Sequence, residues 1–274
     1  MNVNSKPRVL KIKVKEWLEN TTSLFKKADI PSAQLDAELL LCNALNVGRE
    51  WLITHSEDEI SADTAKEAVK KRLNRKPIAY IRGWKEFYKR RFTVNSSVLI
   101  PRPESEQIIE LLKEIVKNNQ KIVDIGTGSG ALAITTALEF PNSSVDACDI
   151  SKSALKIAKH NAKNLKANVT FLESDLLLDI NGTYDIILAN LPYVDKSWQR
   201  SPETEFEPSI ALFAKDNGLD LIKKLVIQTQ EKLQKDGFLL LEADPRQHQS
   251  IINFAKEYGF SLYKKQDFIV ALKK

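Results

Sequence analysis

"KIVDIGTGSGALAI", residues 121 to 134, is an apolar run that opens into three closely spaced glycines and resumes as an apolar stretch rich in alanine. Lys121 to Ile125 read as a buried strand, Gly126, Gly128 and Gly130 as a tight turn, and the residues from about Ala131 as a helix. Glycines at a strand-to-helix turn let the backbone approach a ligand closely. Outward from this unit the alternation repeats. "SSVDACD" (143–149), "NVTFLES" (168–174), "YDIILAN" (184–190) and "GFLLLEA" (237–243) read as strands, and further strands lie around Leu262 and in "FIVALKK" (268–274). Helices beginning at Ser151, about Leu219 and about Arg246 separate them. Seven strands with crossover helices predict an α/β fold, a doubly wound, mostly parallel seven-stranded sheet of Rossmann-like type. Such sheets bind ligands beyond the carboxyl ends of their strands, so the informative loops follow Asp124, Asp149, Glu173 and Ala189.

Upstream the pattern differs. Residues 14 to about 82 read as short amphipathic helices without a convincing strand. In "SAQLDAELLLCNALN" (32–46) Leu35, Leu39 and Cys42 share one helical face, and Ser61 is placed to cap "SADTAKEAVKKRL" (61–73). "GWKEFYKRRFTVNSSVLIPRPESE" (83–106) alternates aromatic and basic residues and then sets prolines on both sides of Arg102. We expect a small helical domain at 1–82, a hairpin-like linker at 83–103 and the α/β domain at 104–274. The latter opens with a helix presenting Ile108, Leu111, Leu112 and Ile115 on one face.

Bulk properties narrow the function classes. The chain has 274 residues, 43% hydrophobic and 28% charged, and lacks any apolar run approaching the roughly 18 residues of a membrane span. The N-terminus has lysines but no continuous apolar core or cleavage site, so a cytoplasmic protein is expected. Cys42 and Cys148 sit in apolar patterns far apart and read as buried, reduced thiols. His55, His160 and His248 are isolated from one another and from the cysteines, so no metal site and no His-based catalytic pair is visible. A formal charge of +5 suits a lysine-rich solvated surface as well as an acidic partner.

The second strand ends on Asp149, about 20 residues beyond the glycines, where a carboxylate can accept hydrogen bonds from both hydroxyls of a ribose. The loop Gly126, Thr127, Gly128, Ser129, Gly130 together with Asp149 indicates an adenosine-containing cofactor. The dinucleotide pattern is G-x-G-x-x-G. Here it is G-x-G-x-G, which favours S-adenosylmethionine, a cofactor without a pyrophosphate. "ESDLL" (173–177) adds Asp175 and Leu176 at the third strand end, on the side expected for the adenine; an ordinary loop aspartate is the competing reading of Asp175.

"ILANLPYVD" (187–195) ends the fourth strand with an amide, a proline and an aromatic ring. Proline alone would stop the ladder; Asn190 and Tyr193 are not needed for that. With "LIPRPESE", "DIGTGSGALAI", "NLPYV", "FEPSIALFAKDNGLD", "GFLLLEA" and the helical N-terminal domain, the chain resembles the HemK/PrmC family, methyltransferases that modify the glutamine of the Gly-Gly-Gln motif in peptide chain release factors. The resemblance implies methyl transfer from S-adenosylmethionine, leaving S-adenosylhomocysteine, to the glutamine side-chain nitrogen. It implies that the Asn190 side-chain oxygen and the Leu191 backbone carbonyl accept the two N–H groups of that amide, that Pro192 fixes the turn, and that the Tyr193 ring packs on the flat amide. Asn190, Pro192 and Tyr193 are the expected catalytic residues, Asn190 to Tyr193 the substrate contacts, and Asn190 also borders the cofactor. Release factors are the expected partners of a monomer that neither enters a membrane nor binds nucleic acid directly.

The chain departs from the family in three places. Leu191 stands where relatives carry a first proline, Ala214 and Lys215 where many carry glycines, and the tail lacks the usual Asp, Gly and Arg. Asn-Leu-Pro-Tyr also occurs in enzymes that methylate adenine in ribosomal RNA. An adenine amino group in RNA or DNA, with "KKR" (70–72) and "KRR" (89–91) on phosphates, is therefore the second reading, beside methylation of a ribosomal-protein glutamine. A non-catalytic RNA- or ribosome-binding module is the third.

Overall fold

The computed structural model describes residues 10 to 274, so much of the N-terminal stretch read as lacking a secretory signal lies outside the described residues. The chain forms two units: one runs through Gly83 and also takes in Pro202–Phe206, the other comprises Trp84–Ser201 and Glu207–Lys274. Among the described residues no helix is long and apolar enough to cross a membrane.

The first unit is mainly helical. It contains β1 (Lys11–Lys13), α1 (Val14–Lys27), α2 (Ala33–Leu45), α3 (Arg49–Thr54), β2 (Glu59–Ser61), α4 (Lys66–Leu73) and α5 (Ile78–Arg82). Val14, Trp17, Thr21 and Phe25 follow helical spacing and form the buried stripe of α1. Three expectations change here. β1 and β2 pair antiparallel, with Ile12 opposite Ile60, a strand pair too short to show a period of two. In α2 the buried face is Ala33, Asp36, Ala37, Leu40, Leu41 and Cys42, whereas Leu35 is 43% exposed. The run Leu39-Leu40-Leu41 covers almost every helical direction, so periodicity misplaced the stripe. Ser61 does not cap α4: it belongs to β2 and its hydroxyl accepts from the Asp63 N–H at 3.2 Å, while the N-cap of α4 is Ala65.

The buried Asp36 is matched by Arg72, only 4% exposed, whose Nε donates to Asp36 Oδ2 at 2.6 Å and whose Nη2 lies 2.9 Å from Glu203. Arg75 donates to Glu203 as well, at 3.2 Å. A buried arginine with two carboxylates satisfies charges that would otherwise be costly to bury. These pairs fix the short Pro202–Phe206 turn within the helical unit.

The second unit starts with a hairpin, β3 (Trp84–Phe87) and β4 (Arg90–Thr93), whose turn residues Tyr88 and Lys89 have φ of 48° and 61°. Phe87 and Phe92 are fully packed in this unit's core and the Thr93 N–H donates to Asn161 at 2.8 Å. The stretch expected as a linker is therefore a built part of the α/β unit from Trp84 onward.

A 3-10 turn at Pro103–Ser105 leads to α6 (Glu106–Ile115), which buries Ile108, Leu111, Leu112 and Ile115 as expected, and Ile109 besides. Then follow β5 (Lys121–Ile125), α7 (Ala131–Glu139), β6 (Ser144–Asp149), α8 (Lys152–Leu165), β7 (Thr170–Glu173), β8 (Tyr184–Ala189), α9 (Ser209–Leu212), α10 (Asp220–Lys232), β9 (Leu233–Glu242), α11 (His248–Glu257), β10 (Ser261–Gln266) and β11 (Ile269–Lys273). The sheet order is β10-β11-β9-β8-β5-β6-β7, parallel except where β11 pairs with β9 and β10. Along β5 the side chains alternate: Ile122 packs on the α6 and α7 side, Val123 and Ile125 on the α10 and α11 side. The strand order reverses at β5, with β6 on one side and β8 on the other. This reversal opens a crevice above the carboxyl ends of β5, β6 and β8.

Candidate active site

The glycine loop is held from below by the end of β6. The Gly126 and Thr127 N–H groups both donate to the Cys148 carbonyl at 2.9 Å. Asp149 accepts from the Gly128 N–H at 2.9 Å and from the Ser151 N–H at 2.8 Å, so it ties the loop to the start of α8 and keeps lone pairs for a ligand. Burial raises its pKa above the ordinary carboxylate value. Asp124, 1% exposed, accepts from Thr127 Oγ1 at 2.7 Å and the Ala133 N–H at 3.2 Å, and burial pushes its carboxyl up to about 7.

The three glycines do different jobs. All have positive φ, of 72°, 56° and 81°. A Cβ on Gly128 would have no atom nearer than 4.0 Å, because the residue faces the open crevice. On Gly126 it would lie 3.0 Å from Leu191 Cδ2, and on Gly130 2.8 Å from Ile134 and 3.2 Å from Ala158. Gly130 thus lets α7 and α8 pack and does not line the cavity, although the sequence reading grouped it with the ligand-facing residues.

The cavity is lined by Gly126, Thr127, Gly128, Ser129, Asp149, Asp175, Leu176, Asn190, Leu191 and Pro192, all singled out from the sequence, and by Asp124, Ser105, Phe87 and Ile150, which were not. Tyr193 is outside the lining. Its ring packs against the sheet core and its hydroxyl donates to Glu242 Oε1 at 3.1 Å. The Leu191 side chain is 4% exposed and packs into the same core.

Around Asn190 a polar chain crosses the sheet. Asn190 Nδ2 donates to Ser105 Oγ at 2.9 Å, Ser105 Oγ donates to Glu242, and Tyr193 donates to the same carboxylate. Glu242 is 1% exposed; desolvation raises its carboxyl to about 7 against the pull of the two hydroxyl donors. Nearby, Arg102 Nη2 donates to Glu207 Oε1 at 2.5 Å and the Ile100 N–H donates to Glu207 Oε2 at 3.0 Å. "IPRPESE" and "FEPS", family signatures without a physical role in the sequence reading, thereby become two halves of one clamp. Gln247 Nε2 donates to the Tyr193 carbonyl at 2.9 Å and the Asn217 carbonyl at 2.8 Å, which braces the segment after Asn190.

Asp124 had a local signal, a carboxylate two residues before the glycine turn. Ser105 and Glu242 lie in two of the motifs that carry the resemblance, "LIPRPESE" and "GFLLLEA", but nothing local in the chain pairs them. Both cysteines are free and buried, and burial pushes the Cys148 thiol up to about 12.

The chain matches the PrmC N-terminal domain over residues 16–83 and the methyltransferase small domain over 104–204. It is 41% identical over 248 residues to the release factor glutamine methyltransferase of Koribacter versatilis, covering 85% of this chain and 88% of the relative. Against the enzyme of the same name from Neisseria gonorrhoeae the identity is 39%, covering 83% and 86%. Among solved structures, a methyltransferase from Pyrococcus furiosus shares the fold with a TM-score of 0.54 at 19% identity, over 76% of this chain and 97% of that one. A 16S rRNA methyltransferase from T. thermophilus, in complex with AdoMet and guanosine, does so with 0.52 at 17% identity, over 70% and 49%. With both of its units matched and most of its length shared with these relatives, the chain belongs to the release factor glutamine methyltransferase family.

Proposed function

We propose that the protein transfers a methyl group from S-adenosylmethionine to the side-chain amide nitrogen of the glutamine in the Gly-Gly-Gln motif of release factors, acting in the cytoplasm as a monomer. The observation that carries this reading is the Asn190 carboxamide, held by Ser105 at the edge of the crevice that the glycine loop lines.

The residues present fit the cofactor. The Gly128 position is a cradle that a side chain would fill, and the buried Asp124 carboxyl, pushed up to about 7, gains from a neighbouring cation such as the cofactor's ammonium. Asp149 would hold the ribose hydroxyls, with Asp175 and Leu176 beside the adenine. Bound there, the cofactor supplies an electrophilic methyl group on a sulfonium.

An amide nitrogen is a poor nucleophile because its lone pair is delocalised into the carbonyl. Asn190 Oδ1 and the Leu191 carbonyl accept its two N–H groups, which holds the nitrogen in one place and favours electron density on it as positive charge develops. Pro192 fixes the turn that carries both acceptors. Tyr193 reaches Glu242 through its hydroxyl, beside the packing of its ring on the amide that the resemblance implies.

The nucleic-acid reading keeps Lys70, Lys71 and Lys89, which are exposed, but finds the arginines of its two basic runs engaged within the protein. Arg72 is buried against Asp36 and Glu203, Arg90 is paired with Glu139 at 2.5 Å, and Arg91 lies over the Trp84 ring at 4.3 Å. Incubation with methyl-labelled S-adenosylmethionine and, separately, release factors, ribosomal proteins and rRNA tests the assignment. Label is expected in the release factor alone; label in RNA with an unlabelled release factor would overturn it.

A further inference from the structure

Asn190 can serve as an acceptor only if its oxygen faces the crevice. The two ends of a carboxamide have nearly the same shape, so packing alone does not choose between them, and the choice falls to hydrogen bonding. In this site Nδ2 is committed to Ser105 Oγ at 2.9 Å, which leaves Oδ1 as the remaining polar atom of the side chain. Ser105 has one proton, and that proton is directed at Glu242. Its oxygen is then an acceptor toward Asn190. Glu242, 1% exposed at the end of β9, also accepts a hydrogen bond from the Tyr193 hydroxyl at 3.1 Å, so above a pH of about 7, where it is ionised, both neighbours donate to one carboxylate.

We propose that Ser105 and Glu242 are positioning residues that select the orientation of the Asn190 carboxamide, Glu242 acting through Ser105 by drawing the serine proton away from Asn190. The direction of every bond in the chain follows from Glu242 as the terminal acceptor. A neutral, donating group at position 242 can turn the Ser105 proton back toward Asn190, which then presents its N–H₂ to the crevice and meets the substrate amide with a donor against donors. The inference rests on the reading of Asn190 as an acceptor for the substrate amide. It adds two residues that would touch neither the cofactor methyl nor the glutamine.

The test uses the full-length enzyme, a release factor and S-adenosylmethionine, with Asn190→Ala measured first. Loss of turnover in Asn190→Ala with cofactor affinity retained establishes the underlying reading; retained turnover there would defeat that reading and this inference together. Given that loss, Ser105→Ala should lower kcat by about tenfold to a hundredfold, the range set by one unsatisfied buried donor. Cofactor affinity by calorimetry should stay within about twofold. Ser105→Thr keeps a hydroxyl and should recover most of the rate. Glu242→Gln should also lose turnover, and the double variant Ser105→Ala with Glu242→Gln should be no more than about threefold slower than Ser105→Ala, since both changes interrupt one chain. Wild-type kcat in Ser105→Ala, equal impairment of the threonine and alanine variants, or losses that multiply in the double variant would each overturn the proposal while leaving the role of Asn190 intact.

Discussion

Gly218→Ala puts the architecture behind Asn190 under a defined load. Gly218 has φ of +84°, and a Cβ there would sit 1.9 Å from the Tyr193 carbonyl oxygen, 2.7 Å from its carbon and 2.4 Å from Gln247 Nε2. The left-handed backbone alone costs a non-glycine residue roughly 1–2 kcal/mol. Relief of the clash moves the Tyr193 carbonyl and Gln247 apart and breaks the bonds from Gln247 to the Tyr193 and Asn217 carbonyls, at about 1 kcal/mol each. The expected loss of stability is about 3–4 kcal/mol. Gly182→Ala is the internal control: its φ is +84° with nothing within 4 Å of the added carbon, so only the backbone cost of about 1–2 kcal/mol applies. Urea unfolding of the two variants should differ by about 2 kcal/mol. In turnover the contrast widens, because a displacement of about 1 Å at a reacting position can cost on the order of a hundredfold, and Tyr193 lies three residues from Asn190. Gly218→Ala should lose methylation of a release factor while Gly182→Ala keeps it. Equal stability and equal turnover of the two would refute the claim that Gly218 and Gln247 brace the catalytic segment.

Asp149→Ala should weaken S-adenosylmethionine binding at least tenfold by calorimetry, since hydrogen bonds to a charged group are worth about 1.5–3 kcal/mol and the Gly128 N–H loses its tether as well. Asn190→Ala should lower kcat by roughly a hundredfold to a thousandfold, the effect of removing one transition-state partner, with a much smaller change in cofactor affinity. Residue Glu242 sets a pH dependence of stability: the folded protein holds its proton up to about 7 while the unfolded chain releases it near 4.5, so the stabilising increment is present at low pH and is lost as pH rises through that window. Glu242→Gln removes this term, and its stability relative to wild type should improve by about 3 kcal/mol between the two values, as read from urea unfolding at a series of pH values; a flat difference would contradict the burial of an ionisable Glu242.

What was legible in the sequence was whatever local pattern controls. The strand-turn-helix at Lys121 to Ile134, the carboxylate ending β6 and the amide ending β8 are set by residues within one or two turns of each other, and a doubly wound sheet then brings those ends together. Local pattern failed where several arrangements satisfy it. The leucine run of α2 fits more than one buried face, and Asp36 turned inward because Arg72, distant in sequence, supplies its counter-charge. Gly130 looked like Gly128 because both are glycines with positive φ; only the neighbours, Ile134 and Ala158 against open crevice, separate them. Tyr193 was assigned its face from resemblance, while its hydroxyl is fixed by a carboxylate from β9. The pairing of Ser105 with Glu242 stayed silent, since a serine at the start of a helix and a glutamate ending a strand are common everywhere and their contact exists only in the folded chain.

The most direct test of the account is fragmentation mass spectrometry of a release factor after incubation with the enzyme and S-adenosylmethionine, with the same release factor carrying alanine in place of the motif glutamine as the control. The account predicts one added methyl group, located on the side-chain nitrogen of the glutamine in Gly-Gly-Gln, absent from the control and strongly reduced with Asn190→Ala enzyme. A methyl group elsewhere in the release factor, or an unmodified glutamine beside an active enzyme that labels RNA, would contradict it.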